Sequence, residues 1–318
     1  MRKIIAAGSI LVDKINEIGG YPQAGELVQI RSLARVPGGL VPNTGCDIHI
    51  LAPEIPVAAF GAVGDDDEGR FVVGELTRKG LDVAGIVIKR AQKTSFTDVM
   101  SVPGGERTFF TYPGASADWG YEDFAFDLVS AGDLVLLGYF LLLAKIDAGD
   151  GLKILKELRR RGVETAIDLV TENSDRYGLV RECLPYVDHL VINEIEAARI
   201  VGKDGSSEEL AGELLRLGVG RRVVIHQPER GVSFVRGGGP VSVDSLKLPA
   251  GFIRGKTGAG DAYCAGVLAG IYRGLPEEEI LKCGGLAAVG ALSAPGATEG
   301  MKTFKELKEL CLSISTKS

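Results

Sequence analysis

The regular exchange of short apolar runs with helix-patterned segments between residues 134 and 225 is what most limits the fold of this chain. Leu134 to Leu137, Glu164 to Ile167, His189 to Ile192 and Arg222 to Ile225 read as strands, bounded by turn-forming residues. Between them, Ala148 to Arg161, Ser174 to Cys183, Glu194 to Val201 and Glu208 to Leu217 carry helical spacing. Strands separated by whole helices cannot close as hairpins, so they run parallel, and helices cover both faces of the sheet. Ligands in such sheets bind beyond the carboxyl ends of the strands. Asp168 and Asn193 each directly follow one of these runs, which makes that edge the place to look for a site.

The first third is less regular. Lys3 to Ala7 suits a buried strand, and Gly8 to Val12 carries it on to an acidic exit at Asp13. Gly19-Gly20, Pro22 and Gly25 break the pattern over 15–36, which predicts small peripheral strands. Asn43 stands in N-cap position for a helix over Thr44 to Leu51, and Val57 to Phe60 is a strand. The acidic run Asp65 to Glu68 complements the dipole of a helix reaching Lys79. Thr94 to Val102 and Glu106 to Tyr112 alternate about Pro103-Gly104-Gly105, a hairpin that forms a small separate sheet with 15–36. Near the end come a hairpin over Val232 to Val235 and Val241 to Val243, then helices over Pro276 to Leu292 and Thr303 to Leu312. With no repeat and no linker, 1–318 reads as one domain with an accessory sheet.

A hydrophobic content of 45% over 318 residues supports a large core and a soluble globular chain. The net charge of −6 is well mixed and leaves no basic stripe for nucleic acid. No apolar run approaches the roughly 18 residues of a membrane span, and Asp13-Lys14 interrupts the only signal-like start. Five scattered cysteines without a C-x-x-C pair suit a reducing cytoplasm and no zinc site.

The chemistry concentrates at Lys256-Thr257-Gly258-Ala259-Gly260-Asp261, followed by an Ala- and Gly-rich stretch to Arg273 without proline. Two glycines before a helix leave unpaired N–H groups at its positive end, a ready anion site. A carboxylate at once after such a cradle repels a phosphate unless it does chemistry. A base for phosphoryl transfer satisfies both facts.

In order along the chain stand Asp13, Gly38-Gly39-x-x-x-Asn43, Gly61-x-Val63-Gly64-x-Asp66, Gly105-Glu106-Arg107-Thr108, Asn193-Glu194-x-Glu196 and Thr257-Gly258-Ala259-Gly260-Asp261. Together they resemble the ribokinase-like, or PfkB, carbohydrate kinases over nearly the whole chain. The resemblance implies a three-layer α/β/α fold with a mostly parallel central sheet and a small β-sheet lid from about 15–36 and 94–112. It implies transfer of the γ-phosphate of ATP to a sugar hydroxyl, with Asp261 as base and the turn of Gly258, Ala259 and Gly260 holding the phosphate charge. It also implies that Asp13, Gly39 and Asn43 hold sugar hydroxyls, that Arg107 reaches substrate from the lid, and that Asn193 and Glu196 order Mg²⁺ through water.

The departures are equally specific. Where relatives of this kind place Thr-x-Gly against the nucleotide, this chain has His226-Gln227-Pro228 ahead of Gly231, leaving His226, Gly231 and Thr257 as nucleotide contacts. The aspartate of a monovalent-cation site is replaced by Gly255, so a K⁺ site would lack its carboxylate. Ala250 to Thr257 fits a relaxed P-loop, but the residues after it read as helices and supply no strand-borne acid for Mg²⁺. No G-x-G-x-x-G string supports a dinucleotide enzyme. The expectation is a sugar or polyol kinase, with a nucleoside kinase or a silent sugar- or nucleotide-binding regulator as alternatives. Leu27, Ile30, Phe109 and Phe110 on the lid are expected to pair two subunits.

Overall fold

The structure, a computed structural model, describes residues 2–103, 107–172 and 175–315. The chain opens with β1 (Ile4–Gly8), β2 (Leu11–Ile18) and β3 (Ile30–Gly38), then α1 (Leu40–Leu51), β4 (Val57–Gly64), α2 (Asp67–Arg78) and β5 (Asp82–Lys89). β6 (Ser95–Ser101), β7 (Arg107–Tyr112) and the single turn α3 (Gly114–Ala117) follow. The alternating part is β8 (Leu134–Phe140), α4 (Gly151–Arg160), β9 (Glu164–Leu169), α5 (Gly178–Arg181), β10 (His189–Asn193), α6 (Glu194–Val201), α7 (Ser207–Arg216) and β11 (Arg222–His226). A hairpin of β12 (Arg230–Val235) and β13 (Pro240–Asp244) leads to α8 (Ala259–Tyr272), α9 (Glu277–Leu292) and α10 (Phe304–Ser315).

Nine strands form the main sheet in the order β13-β12-β11-β10-β9-β8-β1-β4-β5, parallel except for the β11-β12-β13 hairpin edge. The residues of β1 alternate between two cores. Ile4 and Ala6 face α1, α8 and α9, while Ile5 and Ala7 join Leu155 and Leu210 of α4 and α7 on the other side. This is the expected three-layer arrangement. Connections leave β1 toward β4 on one side and return to β8 on the other, so a crevice opens beyond the carboxyl ends of β1 and β8.

A second sheet, β3-β2-β6-β7, stands apart from the first. Here the sequence reading needs its main correction: Asp13 does not end the first strand of the main sheet but lies within β2 of the smaller sheet, opposite Val36 and Thr97. The break falls at Ser9-Ile10, whose polar groups are taken by other elements. The Ser9 side chain and carbonyl accept the N–H groups of Leu40 and Val41 at 3.0 and 3.1 Å, and Ser116 Oγ accepts from Ile10 N and donates to its carbonyl.

Ser9 therefore caps α1 from a distance. The helix starts at Leu40 behind Gly39, and Asn43 is not an N-cap but an inward residue of the first turn. The edge strand β5 escapes the sequence reading, and the helix expected from Ser174 to Cys183 reduces to the single turn α5. Ser174 lies outside the described residues, as do Gly104 and Gly105 of the expected hairpin turn and Glu106 of the lid motif. No described helix is long and apolar enough to cross a membrane.

Candidate active site

Asp261 is the only charged residue of α8, buried in its first turn. The helix can begin there because Gly258 adopts φ +76°, and a Cβ at that position would meet Ala297 Cβ at 2.6 Å. The N–H groups of Gly260 and Asp261 have no acceptor within the helix and point out of its positive end.

Two donors hold the carboxylate. Asn43 Nδ2 donates to Oδ2 at 2.9 Å across 218 positions of sequence. The Tyr139 hydroxyl lies 3.0 Å from Oδ1 and 2.9 Å from Oδ2. Burial pushes Asp261 up to about 6, against the lowering effect of these two bonds. Asp13 is also pushed up to about 6, first by burial and then by Asp261. The other atom of the Asn43 amide, Oδ1, is buried with no partner in the protein, an acceptor waiting for a donor.

Gly39 lies one helical turn before Asn43. Its φ of +88° and the Ser9 carbonyl, 2.7 Å from where a Cβ would be, restrict the position to glycine. Gly38 abuts the Asp13 carboxylate. Asp13, Gly39, Asn43 and Asp261 therefore converge on one point, although they come from β2, α1 and α8.

Beside Asp261 a cavity of about 400 Å³ extends under the ends of β8 to β11. Its far wall carries Asn193 and Glu196, locked in a reciprocal cap at the start of α6, with Asn193 Oδ1 accepting from Glu196 N at 2.9 Å and Glu196 Oε2 from Asn193 N at 3.1 Å. Thr171 bonds both side chains. Burial raises Glu196, and burial followed by Asp261 and Glu196 raises Asp168 well above the carboxylate range. Lys256 is the one cationic side chain among the described residues lining this cavity.

His226 also lines it, tilted over Tyr263 with ring centroids 5.0 Å apart, and burial lowers it to about 4, so it is neutral at pH 7. Gly231 does not line the cavity. Its Cα instead receives the Tyr263 hydroxyl, a packing contact behind the pocket. Arg107, on the smaller sheet, reaches the turn with Nη1 3.4 Å from Thr257 Oγ1. Sequence reasoning missed Tyr139, Thr171 and Lys256 as site residues. The first two carry no local signal, whereas Lys256 adjoins the anion turn and could have been found there.

The sequence signature of the pfkB family carbohydrate kinases matches residues 1–303. The chain belongs to this family. Among relatives similar to this pfkB chain are a ribokinase of Arabidopsis thaliana, 24% identical over 318 residues (96% of this chain, 80% of the relative), and a fructokinase of Klebsiella pneumoniae, 26% identical over 253 residues (77% and 80%). The fold is shared with the structure of the Arabidopsis thaliana ribokinase complexed with ribose and ATP, at a TM-score of 0.81 and 21% identity, covering 98% of this chain and 99% of that one. Like other pfkB carbohydrate kinases it is a phosphotransferase with an alcohol acceptor.

No cluster of three or more metal-ligating side chains occurs among the described residues. The acids on the cavity wall, Asp168, Glu196 and Asp261, are oxygen donors whose chemistry fits a divalent cation.

Proposed function

We propose that this pfkB kinase moves the γ-phosphate of ATP to a hydroxymethyl group of a small sugar or sugar-like polyol, with Asp261 as base. The observation that carries this reading is the convergence of the buried Asp261 carboxylate, the unpartnered Asn43 Oδ1 and the Asp13 carboxylate at the mouth of an anion-binding helix start. Asp13 and Asn43 Oδ1 accept from sugar hydroxyls, and the tight backbone at Gly39 lets the ring approach α1. The acceptor O–H then points at Asp261. As its oxygen bonds the γ-phosphorus and the β–γ bridging bond breaks, the proton passes to Asp261 and ADP leaves.

The transition state is loose and spreads charge over the phosphoryl oxygens, so the N–H groups of Gly260 and Asp261, with Lys256 nearby, supply stabilisation where charge develops. Asn193 and Glu196 would hold the waters of Mg²⁺, which when bound neutralises phosphate charge. His226 on the cavity wall and the exposed Thr257 beside the turn contact nucleotide. The smaller sheet acts as a lid within a single domain, Arg107 closing toward Thr257, and closure excludes water from the reactive phosphate.

At the K⁺ position, the carbonyls of Ala294 and Pro295 lie 2.9 and 2.7 Å from where a Gly255 Cβ would be, leaving no room for a carboxylate. Turnover is therefore expected to be the same in K⁺ and Na⁺ buffers. The reading also includes pairing of two copies through the lid, supported by the exposure of Leu27, Ile30, Phe109 and Phe110. A reducing compartment belongs to the same reading, supported by the buried thiols of Cys46, Cys183, Cys264 and Cys283.

The test is ADP release from ATP and Mg²⁺ across sugars, polyols, sugar acids, sugar phosphates and nucleosides. Turnover with a sugar or polyol, reduced about 10²- to 10⁴-fold in Asp261→Asn, supports the proposal. Turnover with nucleosides alone assigns a nucleoside kinase. Silence across the panel, with GTP and K⁺ also tried, assigns a binding regulator.

A further inference from the structure

We infer that Tyr139 is a positioning residue for the transfer, its hydroxyl holding the Asp261 carboxylate so that Oδ1 faces the acceptor. This rests on Asp261 being the base. Parallel pairing of β8 with β9 runs Leu137↔Ile167 and Gly138↔Asp168, then resumes at Phe140↔Leu169, which leaves Tyr139 as one extra residue. It is a bulge, a device that re-aims a side chain beside an active site. Tyr139 takes φ +59° and Leu141 φ +78°, the only positive values at non-glycine residues among those described. Backbone strain of this kind persists where surrounding contacts over-determine it. Those contacts are present: Leu142 N donates to the Tyr139 carbonyl at 3.2 Å, and Asp147 Oδ1 accepts from Leu141 N at 2.8 Å.

The strained backbone delivers a phenol to the base. The ring is partly buried, and burial together with Asp261 and Asp168 raises the hydroxyl well above its ordinary range, so it remains a donor. Standing at nearly equal distance from both oxygens, it bisects the carboxylate. Asn43 loads Oδ2 with a second bond, so Oδ1 keeps the larger free capacity for an incoming O–H.

The acids coupled to Asp261 from other elements are Asp13 on β2, Asp47 on α1 and Asp168 on β9, with Cys264 on its own helix, while Lys256 and the neutral His226 share its cavity without bonding the carboxylate. Against that field the only side-chain donors to the carboxylate are Tyr139 and Asn43, among the described residues. Losing one favours the protonated acid, which cannot accept the sugar proton.

The experiment compares the pH dependence of kcat and KM in wild type and Tyr139→Phe, with Asp261→Asn as the floor. The expected result is a fall in kcat of about tenfold at pH 7, little change in sugar KM, an acid limb moved to higher pH, and partial recovery in alkaline buffer. Coincident acid limbs, or a loss equal at every pH, overturn the inference. Should Tyr139→Phe fail to fold, 3-fluorotyrosine at position 139 keeps the shape and strengthens the donor, and the limb should move to lower pH. An unmoved limb again overturns it.

The Asp261 carboxyl is also followed by carbon-13 NMR, assigned through Asp261→Asn. A higher midpoint in Tyr139→Phe supports the bond in a protein that turns over no sugar, and an unchanged midpoint refutes it. A wild type inactive across the panel refutes the kinase reading separately.

Discussion

At the scale of single residues, the proposed site divides into groups assigned to the sugar and groups assigned to the phosphates, and substitutions should separate them. Asp13→Ala removes a carboxylate that faces the acceptor, so sugar KM is expected to rise about ten- to a hundredfold while ATP KM stays within about twofold. Lys256→Met removes the cavity's one cationic lining side chain among the described residues and is expected to do the reverse. Steady-state kinetics with each substrate varied in turn checks both, and a shared effect on the two KM values would contradict this division. Asp261, Asn43 and the turn glycines were legible because their residue types sit at short fixed spacings. Tyr139 was not, since it falls just beyond the run Leu134 to Leu137 with no motif around it, and only the slip against β9 turns it inward.

At the scale of elements, two helix caps that also tie in distant residues fix where α1 and the smaller sheet begin. Ser9 caps α1 although 31 positions separate it from Leu40. Ser9→Ala is expected to cost about 1 kcal/mol in denaturant unfolding and to raise sugar KM, because Gly39 and Asn43 ride on that first turn. Asp66 caps α2 through Gly69 N at 2.9 Å and also receives Thr94 N and Oγ1 at 2.9 and 2.5 Å, fixing the entry to β6. Its sequence motif thus serves the root of the smaller sheet. Asp66→Ala is expected to lose about 1–2 kcal/mol and to speed proteolysis near residues 90–94. Unchanged cleavage would show that the root is held by other contacts.

At the scale of the molecule, buried acids give the protein an unusual pH response. Asp47, on the buried side of α1, has both carboxyl oxygens without a partner, and it is raised well above the carboxylate range by burial first and Asp261 second. A carboxyl whose folded value lies above its unfolded value binds the proton more tightly when folded. The cost is absent below the unfolded pKa and grows as pH rises through it. Asp47→Asn is therefore expected to melt higher than wild type at pH 8, with the gap, about 1–3 kcal/mol, closing toward pH 4. A gap independent of pH would mean that Asp47 is not the titrating group. The proposed catalysis runs the other way: with Asp261 as base and Asp13 as sugar acceptor, both raised to about 6, kcat/KM should climb between pH 5 and 7. Sedimentation at micromolar concentration tests the lid-mediated pair, and a monomer throughout would reject it.

The sequence by itself determined the parallel sheet, the edge at which the site lies, the anion turn and its aspartate, because periodicity and turn chemistry act over a few neighbouring residues. The tertiary structure decided that Asp13 belongs to the smaller sheet, that Asn43 bonds Asp261 instead of capping a helix, that Gly231 packs behind the pocket, and that a bulge presents Tyr139 to Asp261. Each of these depends on partners distant in the chain, such as Ser9 with Leu40 or Asn43 with Asp261, and no local pattern encodes a bond whose two ends are brought together only by packing of the sheets and helices between them.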